Sequence, residues 1–447
     1  MRKYTSSEKF ILLSKILLNF MKFKRHPYNS ISHIENEQFK KIKQIITYAY
    51  NNNKFYRDKF DKHGVHPDMI NNIEDFKNKI PFTTKEEILA NYDKFVPYDL
   101  KSNKNKYLVG RSSGSSGKML TIYHNPIDTY NYILGRYRIF DMVSDYTPLT
   151  NVLYVYTSPF PASSIMGFYK SYFVETLNDL EDTKKKIMNI RPDIINLYPS
   201  QLIELSKIFN KEDIKIIKLK AILVGSELST QKQRDDLSKI FNCKVYDEYS
   251  SEELGWIAAQ CKNFNYHIFE DFNFVEIINP DSGKLMKNGM VGEVVGTNLC
   301  NYSMPFIRYR QGDLASISLK KCDCGFNFRV LDNLIGRKND SFILNNKKFS
   351  SGFLLDLTYN LVLKMNLDII DFCLMQVDKE NVLMQIKKGK RFVESDKKKI
   401  IKYLSNYFGK GISISVKVVG QLYKTQRGKR NPIISLLKQK QSIQNIN

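Results

Sequence analysis

The chain has 447 residues, enough for two or three domains and a large buried core. Hydrophobic residues make up 42% of it and aromatic residues 13%, and this composition excludes a disordered chain. The formal net charge of +23 would suit a nucleic acid or an anionic membrane, but the lysines are scattered among acidic residues. We therefore expect a Lys-rich surface without a specific nucleic-acid partner, and a basic cleft for a strongly anionic substrate.

The first 30 residues predict an amphipathic helical leader. Arg2 and Lys3 are basic and residues 10–21 are rich in Ile, Leu and Phe, which is the charge order of a signal peptide. However, Lys15 interrupts the apolar stretch, and basic residues follow where a cleavage site would stand. No window holds the ~20 apolar residues of a membrane span, so we expect a cytoplasmic protein with reduced cysteines. The predicted apolar face packs on the domain or, alternatively, rests on an anionic membrane surface. Its residues are Phe10, Leu13, Leu17 and Met21.

Patterns over residues 34–241 predict a large α/β domain with a largely parallel sheet. Residues 34–60 have helical spacing of apolar side chains, and Thr83 and Thr84 before charged residues predict a capped helix start. Farther along, short apolar strands alternate with helical stretches. The predicted strands are 152–157 and 220–224, and the predicted helices are 199–209 and 230–241.

Residues beyond about 340 predict a smaller α+β domain. Its predicted strands are 372–377, 382–387 and 412–419, with a helix at 395–408. The predicted domains are therefore an N-terminal domain at 1–339, which includes the 1–30 leader, and a C-terminal domain at 340–438. A polar tail follows at 439–447.

The run from Arg111 to Lys118 has the composition of a phosphate-binding loop. Its glycines let the backbone turn its N–H groups inward, its serines add hydroxyl donors, and Lys118 adds a positive charge. The glycine spacing does not match a Walker A motif. A flexible Ser/Gly loop is the alternative interpretation.

Four further motifs follow in a fixed order. Each could be a turn or a charged surface cluster by itself, and their joint order and spacing favour one site. They are Gly225-Ser226-Glu227 with Tyr249-Ser250-Ser251-Glu252-Glu253, then Met304 to Asp313, then Gly336-Arg337-Lys338-Asn339-Asp340, and last Lys424 to Lys429.

With these motifs the chain resembles the phenylacetate–CoA ligase-type branch of the adenylate-forming superfamily, including relatives associated with capsular polysaccharide biosynthesis. The likeness covers nearly the whole chain. It begins at Phe55-Tyr56-Arg57 and the run from Ile80 to Lys85, and the run from Ile307 to Asp313 is its most specific match. It implies an α/β fold, with a large N-terminal adenylate-forming domain of mixed sheets and helices and a small mobile C-terminal α+β domain.

The resemblance implies an AMP-forming carboxylate ligase. Such an enzyme uses ATP and Mg²⁺ to convert a carboxylic acid to its acyl-AMP with release of pyrophosphate, and then transfers the acyl group to coenzyme A. An amine or hydroxyl acceptor, for example in capsular polysaccharide biosynthesis, is the alternative to coenzyme A. Oligomer formation is compatible with either acyl acceptor.

The resemblance also assigns residues to ATP. The mobile loop over the β- and γ-phosphates would be Ser112, Ser113, Gly114, Ser115, Ser116, Gly117 and Lys118. Gly225, Ser226 and Glu227 would lie against the adenine, and Tyr249 would stack near it.

Five other residues take implied roles. Asp313 would accept hydrogen bonds from both ribose hydroxyls, and Glu253 would hold Mg²⁺. Arg337 would lie near the ribose and phosphate, and Asp340 would be the hinge between the domains. Lys429 would neutralise charge between the carboxylate and the α-phosphate.

The sequence departs from the branch in two places. Glycine and a hydroxyl residue are usual where Ser250 and Glu252 stand, so Glu252 adds a carboxylate beside the α-phosphate. The roles of Glu252 and Glu253 could be exchanged by a one-residue shift of the motif. Residues 158–164 replace an aromatic, Gly-rich acyl-pocket stretch, which argues against phenylacetate as the substrate.

The cysteine pattern predicts a structural zinc site. Three thiolates and one imidazole suit tetrahedral Zn²⁺ and leave no open position for catalysis. The predicted ligands are Cys261, His267, Cys322 and Cys324. The alternative is ordinary reduced cysteines and a surface histidine. A zinc-stabilised basic nucleic-acid-binding protein is a remote alternative for the whole chain, disfavoured by the ordered ATP-site motifs.

Overall fold

The computed structural model describes residues 14, 21, 23–112, 120–156, 168–176, 178–337, 340–349, 351–422 and 431–437. Two compact units are formed. The first unit takes the described parts of Met1–Leu149, Pro161–Lys170 and Glu248–Asn333, and the second takes those of Thr150–Phe160, Ser171–Asp247 and Leu334–Asn447. The predicted domain boundary at residue 340, and the mobility of the part beyond it, stay predictions.

The described helices are, in chain order, α1 Ile31–Asn52, α2 Lys54–Lys62, α3 Ile73–Lys79, α4 Lys85–Ala90, α5 Tyr92–Phe95, α6 Leu100–Asn103, α7 Pro126–Val143, α8 Leu180–Ile190, α9 Pro199–Leu205, α10 Lys211–Ile217, α11 Gln231–Phe241, α12 Ser351–Lys364 and α13 Glu394–Phe408. Short 3₁₀ turns lie at His26–Tyr28, Pro67–Met69 and Lys104–Lys106.

The described strands are β1 Leu108–Arg111, β2 Thr121–His124, β3 Val152–Tyr156, β4 Ser171–Glu175, β5 Ile194–Leu197, β6 Ala221–Gly225, β7 Val245–Ser251, β8 Gly255–Gln260, β9 Tyr266–Ile268, β10 Asn273–Ile278, β11 Gly292–Asn298, β12 Tyr309–Ile317, β13 Val330–Arg337, β14 Phe342–Leu344, β15 Lys347–Phe349, β16 Ile369–Gln376, β17 Asn381–Lys388, β18 Ser413–Val418 and β19 Ile433–Ser435.

Side-chain caps set the helix boundaries near the N-terminus. The helical pattern at 34–60 forms two helices rather than one, because Asn53 adopts an extended conformation and its side chain accepts a hydrogen bond from the backbone N–H of Tyr56. The predicted helix start at Thr84 is confirmed, since its hydroxyl accepts from Glu87 N at 3.2 Å.

In the first unit, strands are hydrogen-bonded in the order β10-β11-β12-β13-β9-β8-β7, and β1 pairs with β2. The pairs β10–β11, β11–β12, β13–β9, β9–β8 and β8–β7 are antiparallel. The β7–β8 hairpin is short and has an irregular register between Tyr249 and Ser250. Its turn holds Glu252 and Glu253, two of the acidic residues of the predicted site.

Three of the motifs that carry the resemblance meet in the core of the first unit. Ile307 N donates to the Tyr56 hydroxyl at 2.9 Å. Thr83 N donates to Arg308 O, and Arg310 N donates to Thr83 O, each at 2.9 Å. Tyr56 and Thr83 are completely buried. These motifs therefore attach the N-terminal helices to β12.

The arginine at the centre of the most specific motif is structural. Arg308 is buried and makes two hydrogen bonds to the Glu276 carboxylate, at 3.0 and 2.8 Å. It also donates to Ile80 O at 2.6 Å. A buried cation needs partners of this kind, and loss of one partner leaves an uncompensated charge. Arg308 therefore joins β10, β12 and the segment that precedes α4.

In the second unit, β6, β5, β3 and β4 are neighbours in that order, with β6–β5, β5–β3 and β3–β4 parallel. Their apolar residues pack with Leu202 of α9 and Leu237 of α11. The predicted strands and helices of this region are confirmed to within a few residues at their ends, and so is the parallel pairing.

The chain beyond residue 340 forms a mixed sheet in the order β18-β17-β16-β19, with β14 and β15 paired separately. The strands β16 and β17 are antiparallel, and β17–β18 and β16–β19 are parallel. Leu361 of α12 and Leu404 of α13 pack on this sheet. The predicted α+β composition is confirmed, and the added strand β19 comes from a short apolar run after the last motif.

Among the described residues, no helix is both long and apolar enough to cross a membrane. Most of the predicted leader, including Phe10, Leu13 and Leu17, lies outside the described residues. Met21 is described and is 54% exposed. The packing of the leader therefore stays a prediction.

Candidate active site

A buried pair of side chains in the first unit joins two of the predicted ATP-site motifs. The Tyr249 hydroxyl, on β7, donates to Asp313 Oδ2 on β12 at 2.7 Å. Each residue is only 8% exposed. The hydrogen bond fixes the orientation of the carboxylate, which a group that binds a cis-diol requires. The structure thus brings together two residues that lie 64 positions apart.

The neighbouring carboxylates of Glu252 and Glu253 have different surroundings. Glu253 is buried, and the Tyr309 hydroxyl lies 3.3 Å from its Oε1. Glu252 instead reaches Gly110 on β1, where its Oε2 is 2.6 Å from the position a Cβ would take. The two carboxylates therefore have different neighbours. The assignment of Mg²⁺ to Glu253, and the alternative exchange of roles with Glu252, stay predictions.

The predicted phosphate loop is anchored at both ends. Ser112 N donates to Leu120 O at 2.9 Å, and Leu120 N donates to Ser112 Oγ at 3.0 Å. Lys85, at the start of α4, donates to the same hydroxyl at 2.9 Å. The other predicted loop residues, Ser113, Gly114, Ser115, Ser116, Gly117 and Lys118, lie outside the described residues. Lys85, the last residue of the run from Ile80 that carries the resemblance, therefore adds a cation at the base of the loop, a role that the sequence analysis did not assign to it.

In the second unit, the Gly225-Ser226-Glu227 motif follows the last residues of β6. Ser226 has a positive φ of 67°. The Glu227 carboxylate accepts from Ser200 N at 3.0 Å and from Ser200 Oγ at 3.1 Å. Because Ser200 lies in the first turn of α9, an acidic side chain is also favoured there by the helix dipole. Glu227 thus anchors the motif on α9.

The remaining predicted residues of the second unit are only partly described. Arg337 ends β13, and Asp340 Oδ2 accepts from Asn431 Nδ2 at 3.2 Å. This contact ties the predicted hinge to the strand region near β19. Lys429 lies outside the described residues.

A second buried ion pair of the first unit was not predicted. Arg136 on α7 makes two hydrogen bonds to Glu248 on β7, at 2.6 and 3.3 Å. The guanidinium also lies 4.0 Å from the ring centre of Trp256. Glu248 directly precedes Tyr249, so the pair holds the strand that carries the tyrosine. A single arginine outside the recognised motifs gives no sequence signal for such a role.

The four predicted zinc ligands converge in the first unit. Cys261 Sγ and Cys322 Sγ are 3.6 Å apart, and Cys324 Sγ is 3.2 Å from His267 Nε2. All four ligand atoms lie within 4.8 Å of one another. Ligand atoms around a tetrahedral zinc ion stand at roughly 3.5–3.8 Å, given its usual bond lengths. The residues therefore fit such an ion.

The second nitrogen of the histidine supports the same fit. His267 Nδ1 faces Phe328 O at 3.0 Å, so Nδ1 carries the proton and the Nε2 lone pair faces the thiols. Burial lowers the pKa of His267 and favours the neutral ring that a metal ligand must have. The alternative interpretation of a surface histidine is wrong, because His267 is completely buried.

No protein-family model matches the chain. It is 26% identical to the phenylacetate–coenzyme A ligase of Escherichia coli strain K12 over 332 residues, which cover 70% of this chain and 74% of that protein. The phenylacetate–coenzyme A ligase of Thermus thermophilus is also 26% identical, over 69% of this chain and 71% of its own. Protein CapK of Staphylococcus aureus is 24% identical over 441 residues, which cover 92% of this chain and 90% of that protein.

Solved structures of acyl-CoA ligases share the fold. A 2-hydroxyisobutyryl-CoA ligase, in its postadenylation state with an acyl-AMP, superposes with a TM-score of 0.76 at 16% identity and covers 94% of both chains. The ATP-bound MatB of Rhodopseudomonas palustris gives a TM-score of 0.55 at 14% identity, over 75% of this chain and 67% of its own.

The fold is thus that of the adenylate-forming ligases, as predicted. The predicted resemblance to the phenylacetate–CoA ligase branch is confirmed by the curated relatives, and so is the predicted class of enzyme, an AMP-forming ligase.

Proposed function

We propose that the chain activates a carboxylic acid with ATP as its acyl-AMP, releases pyrophosphate, and then transfers the acyl group to coenzyme A. The observation that carries the proposal is the buried hydrogen bond between Tyr249 and Asp313, since it joins the two motifs assigned to the adenosine. The relatives and the fold support the same reaction.

The first half of the reaction needs a nucleoside site and charge neutralisation. Asp313 accepts hydrogen bonds from the ribose hydroxyls, and Tyr249 packs near the adenine while it orients Asp313. Glu253 holds Mg²⁺, which neutralises phosphate charge when it is bound. Lys429 lies near the reacting carboxylate and the α-phosphate, as the resemblance implies. The protein holds the substrate carboxylate in line with the α-phosphate of ATP and neutralises the charge of these two anions, so no covalent nucleophile is required.

A second candidate differs only in the acyl acceptor. In it the acyl-AMP reacts with an amine or hydroxyl group instead of a thiol. The likeness to Protein CapK favours this candidate, because it extends over 92% of this chain while the likeness to the E. coli phenylacetate–coenzyme A ligase extends over 70%.

The Cys₃His cluster holds a structural Zn²⁺ in this proposal. All four positions of a tetrahedral ion are taken by Cys261, His267, Cys322 and Cys324, so the ion supplies cross-links rather than catalysis. Peripheral membrane association through the 1–30 leader, and oligomer formation, stay predictions.

The test is pyrophosphate release, measured across a panel of carboxylic acids with purified protein, ATP and Mg²⁺. Acid-dependent release that needs a higher ATP concentration in Asp313→Ala and is unchanged in Glu86→Gln, a change on the exposed face of α4, supports the proposal. Addition of coenzyme A, hydroxylamine or a sugar then identifies the acceptor by the product formed. Failure to release pyrophosphate with every acid would reject the proposed function.

A further inference from the structure

A cavity of about 540 Å³ lies beside α1 in the first unit. Small-molecule pockets usually have volumes of roughly 300–1,000 Å³, so its size is that of a ligand site. It opens widely to solvent and is lined by one face of α1 and by Tyr302, from the segment between β11 and β12. None of these lining residues belongs to the motifs assigned to ATP. The cavity therefore needs an explanation other than the proposed reaction.

The helix contributes a face that the core does not use. Buried residues of α1, such as Ile42 and Ile46, pack toward the interior. The cavity instead follows two adjacent rows of side chains that lie four positions apart along the helix. The rows are Lys43, Thr47 and Asn51, and Gln44, Tyr48 and Asn52. More than two helical turns of mostly polar side chains thus border one cavity.

Tyr302 supplies the wall that turns this helix face into a cavity. Its ring meets the Tyr48 ring edge-on, with ring centres 5.0 Å apart and an angle of 85° between the planes. Tyr302 N donates to Oδ1 of the buried Asp128 at 2.9 Å, so the backbone that carries the wall is fixed. Tyr48 is 37% exposed and leaves part of its ring open to the cavity. The two rings, called the aromatic corner below, offer an apolar face and an apolar edge to a ring-shaped ligand.

The polar side chains around the aromatic corner keep their capacity for hydrogen bonds. Within the described part of the chain, the side chains of Gln44, Thr47 and Asn51 have no hydrogen-bond partner. Asn52 uses its NH₂ group, which donates to Tyr48 O at 3.0 Å, and keeps its amide oxygen. A carboxamide has donor and acceptor atoms side by side, and a hydroxyl group also donates and accepts. The cavity therefore combines an apolar corner with several groups of both kinds.

The charge of the lining indicates a neutral ligand. Among the described residues that line the cavity, Lys43 is the charged one, and no carboxylate is present to attract a cation. Lys43 Nζ donates to Pro67 O at 2.6 Å and to Ile70 O at 2.9 Å. Two of its three N–H groups are thus engaged at the 3₁₀ turn Pro67–Met69. The ammonium holds one end of the cavity in place and leaves most of the lining uncharged.

We propose that this cavity binds a saccharide, with one face of a sugar ring on the aromatic corner of Tyr48 and Tyr302. The C–H face of a sugar ring packs on an aromatic ring, while each sugar hydroxyl donates and accepts, as the carboxamides of Gln44 and Asn51 do. A purine would stack on the same corner but has fewer groups to match these amides. The inference goes beyond the proposed function and does not rest on it, because the lining residues take no part in that reaction.

Binding of free sugars to the full chain tests the proposal. Glucose, galactose and N-acetylglucosamine are titrated by saturation-transfer difference NMR, and adenosine and glycerol serve as probes of a planar ring and of an open-chain polyol. We expect at least one sugar to bind the unmodified protein with a Kd on the order of 1 mM, given the small size of the ligand. In Tyr48→Ala the Kd should rise at least about 10-fold, because the aromatic face is lost.

Two further variants separate binding from folding. Gln44→Ala and Asn51→Ala each remove one carboxamide from an exposed helix position, where alanine is the best helix former. Each should therefore raise the Kd for the sugar without lowering the Tm. Tyr407→Ala, at an exposed tyrosine of the second unit, is the matched control and should bind the sugar as the unmodified protein does. The thermal unfolding of every variant is recorded alongside the titrations.

The outcomes are distinct. No saturable binding of any sugar up to about 50 mM, far above the expected Kd, overturns the inference. Sugar binding that Tyr48→Ala, Gln44→Ala and Asn51→Ala all leave unchanged places the sugar elsewhere and also overturns it. Glycerol bound as well as the sugars, or adenosine bound more tightly than any sugar and weakened by Tyr48→Ala, replaces the saccharide with another ligand. Pyrophosphate release with a carboxylic acid is measured separately, so the proposed function stands or falls independently.

Discussion

The Tyr249 hydroxyl donates a hydrogen bond of 2.7 Å to Asp313 Oδ2, and both residues are buried. This contact lets the two residues be tested separately. Asp313→Ala removes the acceptor for the ribose hydroxyls, and a hydrogen bond to a charged group contributes about 1.5–3 kcal/mol. We expect the Kd for ATP to rise by about 10- to 150-fold, as measured by calorimetry at fixed ionic strength.

Tyr249→Phe is the companion change. It keeps the ring and removes only the hydroxyl that orients Asp313, so the Kd for ATP should rise by less than in Asp313→Ala. A Kd that stays at the unmodified value in Asp313→Ala would refute the ribose assignment.

Much of the fold could be predicted because it depends on local sequence. Thr84 lies directly before the helix that it caps, and the strands and helix beyond residue 340 follow their apolar spacing closely. Asn53 was missed as a break because both sides of it have helical spacing.

Residues of the candidate site could be predicted only where they belong to a recognisable sequence motif. Tyr249, Asp313 and the zinc ligands lie in recognisable motifs. Gly110 and Glu252 meet only through tertiary structure, since they are distant in sequence and neither has a local pattern that indicates the other. The ion pair of Arg136 with Glu248 could not be predicted either, because these residues are also distant in sequence.

The metal content of the protein is the next prediction. Purified protein should contain about one equivalent of zinc per chain, because the four ligand atoms fit one tetrahedral ion. Cys322→Ser and Cys261→Ser should each lower the metal content and the Tm together, since metal binding stabilises the folded state. Cys373→Ser, at a buried thiol in the second unit, is the control and should keep the metal. Fully stable protein without metal would exclude the site.

Removal of the metal should also loosen the segment that precedes α1. Asn327, three residues after the last cysteine ligand, donates from its backbone N–H to Pro27 O at 2.8 Å. The Tyr28 ring meets the Phe326 ring edge-on at a centroid distance of 4.9 Å. We therefore expect a chelator to increase the rate of tryptic cleavage at Lys24 and Arg25.

Tyr28→Ala provides the comparison for that experiment. It should increase the same cleavage with the metal still bound, because it removes the ring contact without touching a ligand. Cleavage that is insensitive to chelator in the unmodified protein, after metal loss has been verified, would contradict the coupling.

A buried ion pair makes a prediction about pH. Burial raises the pKa of Asp271, but the charge and hydrogen bonds of Arg138 outweigh this effect and hold the pKa below its ordinary value. Both Arg138–Asp271 hydrogen bonds are 2.6 Å long, and His26 Nδ1 lies 3.7 Å from the carboxylate. The pair therefore stabilises the fold fully above the unfolded-state pKa of about 3.9, and this contribution is lost as the pH falls through the folded-state pKa.

Asp271→Asn tests that contribution. Removal of one partner from a buried pair costs about 3–5 kcal/mol, so the free energy of unfolding at pH 7 should fall by that order. On acidification, the free energy of unfolding of the variant should also fall less than that of the unmodified protein. Asp58→Asn, in the exposed pairs with Lys94 and Lys54, is the control and should change little. Equal effects of the two changes would show that the buried pair contributes nothing beyond surface charge.

The last prediction concerns Lys429, which the resemblance assigns to the reacting carboxylate and the α-phosphate. The resemblance implies one orientation of the C-terminal domain for adenylation and another for acyl transfer, with the turn at Asp340. Solved structures of 2-hydroxyisobutyryl-CoA ligase include both a postadenylation and a thioesterification state. If this chain works in the same way, Lys429 acts in the first half-reaction and is withdrawn in the second.

The two half-reactions should then respond differently to one substitution. Lys429→Ala should slow adenylate formation by about 10²–10³-fold, the scale observed when one preorganised charge-stabilising group is removed. The same variant should consume a chemically prepared acyl-adenylate at close to the normal rate, because Lys429 is withdrawn from the α-phosphate in the orientation that carries out acyl transfer. Lys424→Ala, five residues earlier on the same segment, is the matched control. Equal slowing of both half-reactions by Lys429→Ala, or of neither, would rule out a two-orientation mechanism for this enzyme.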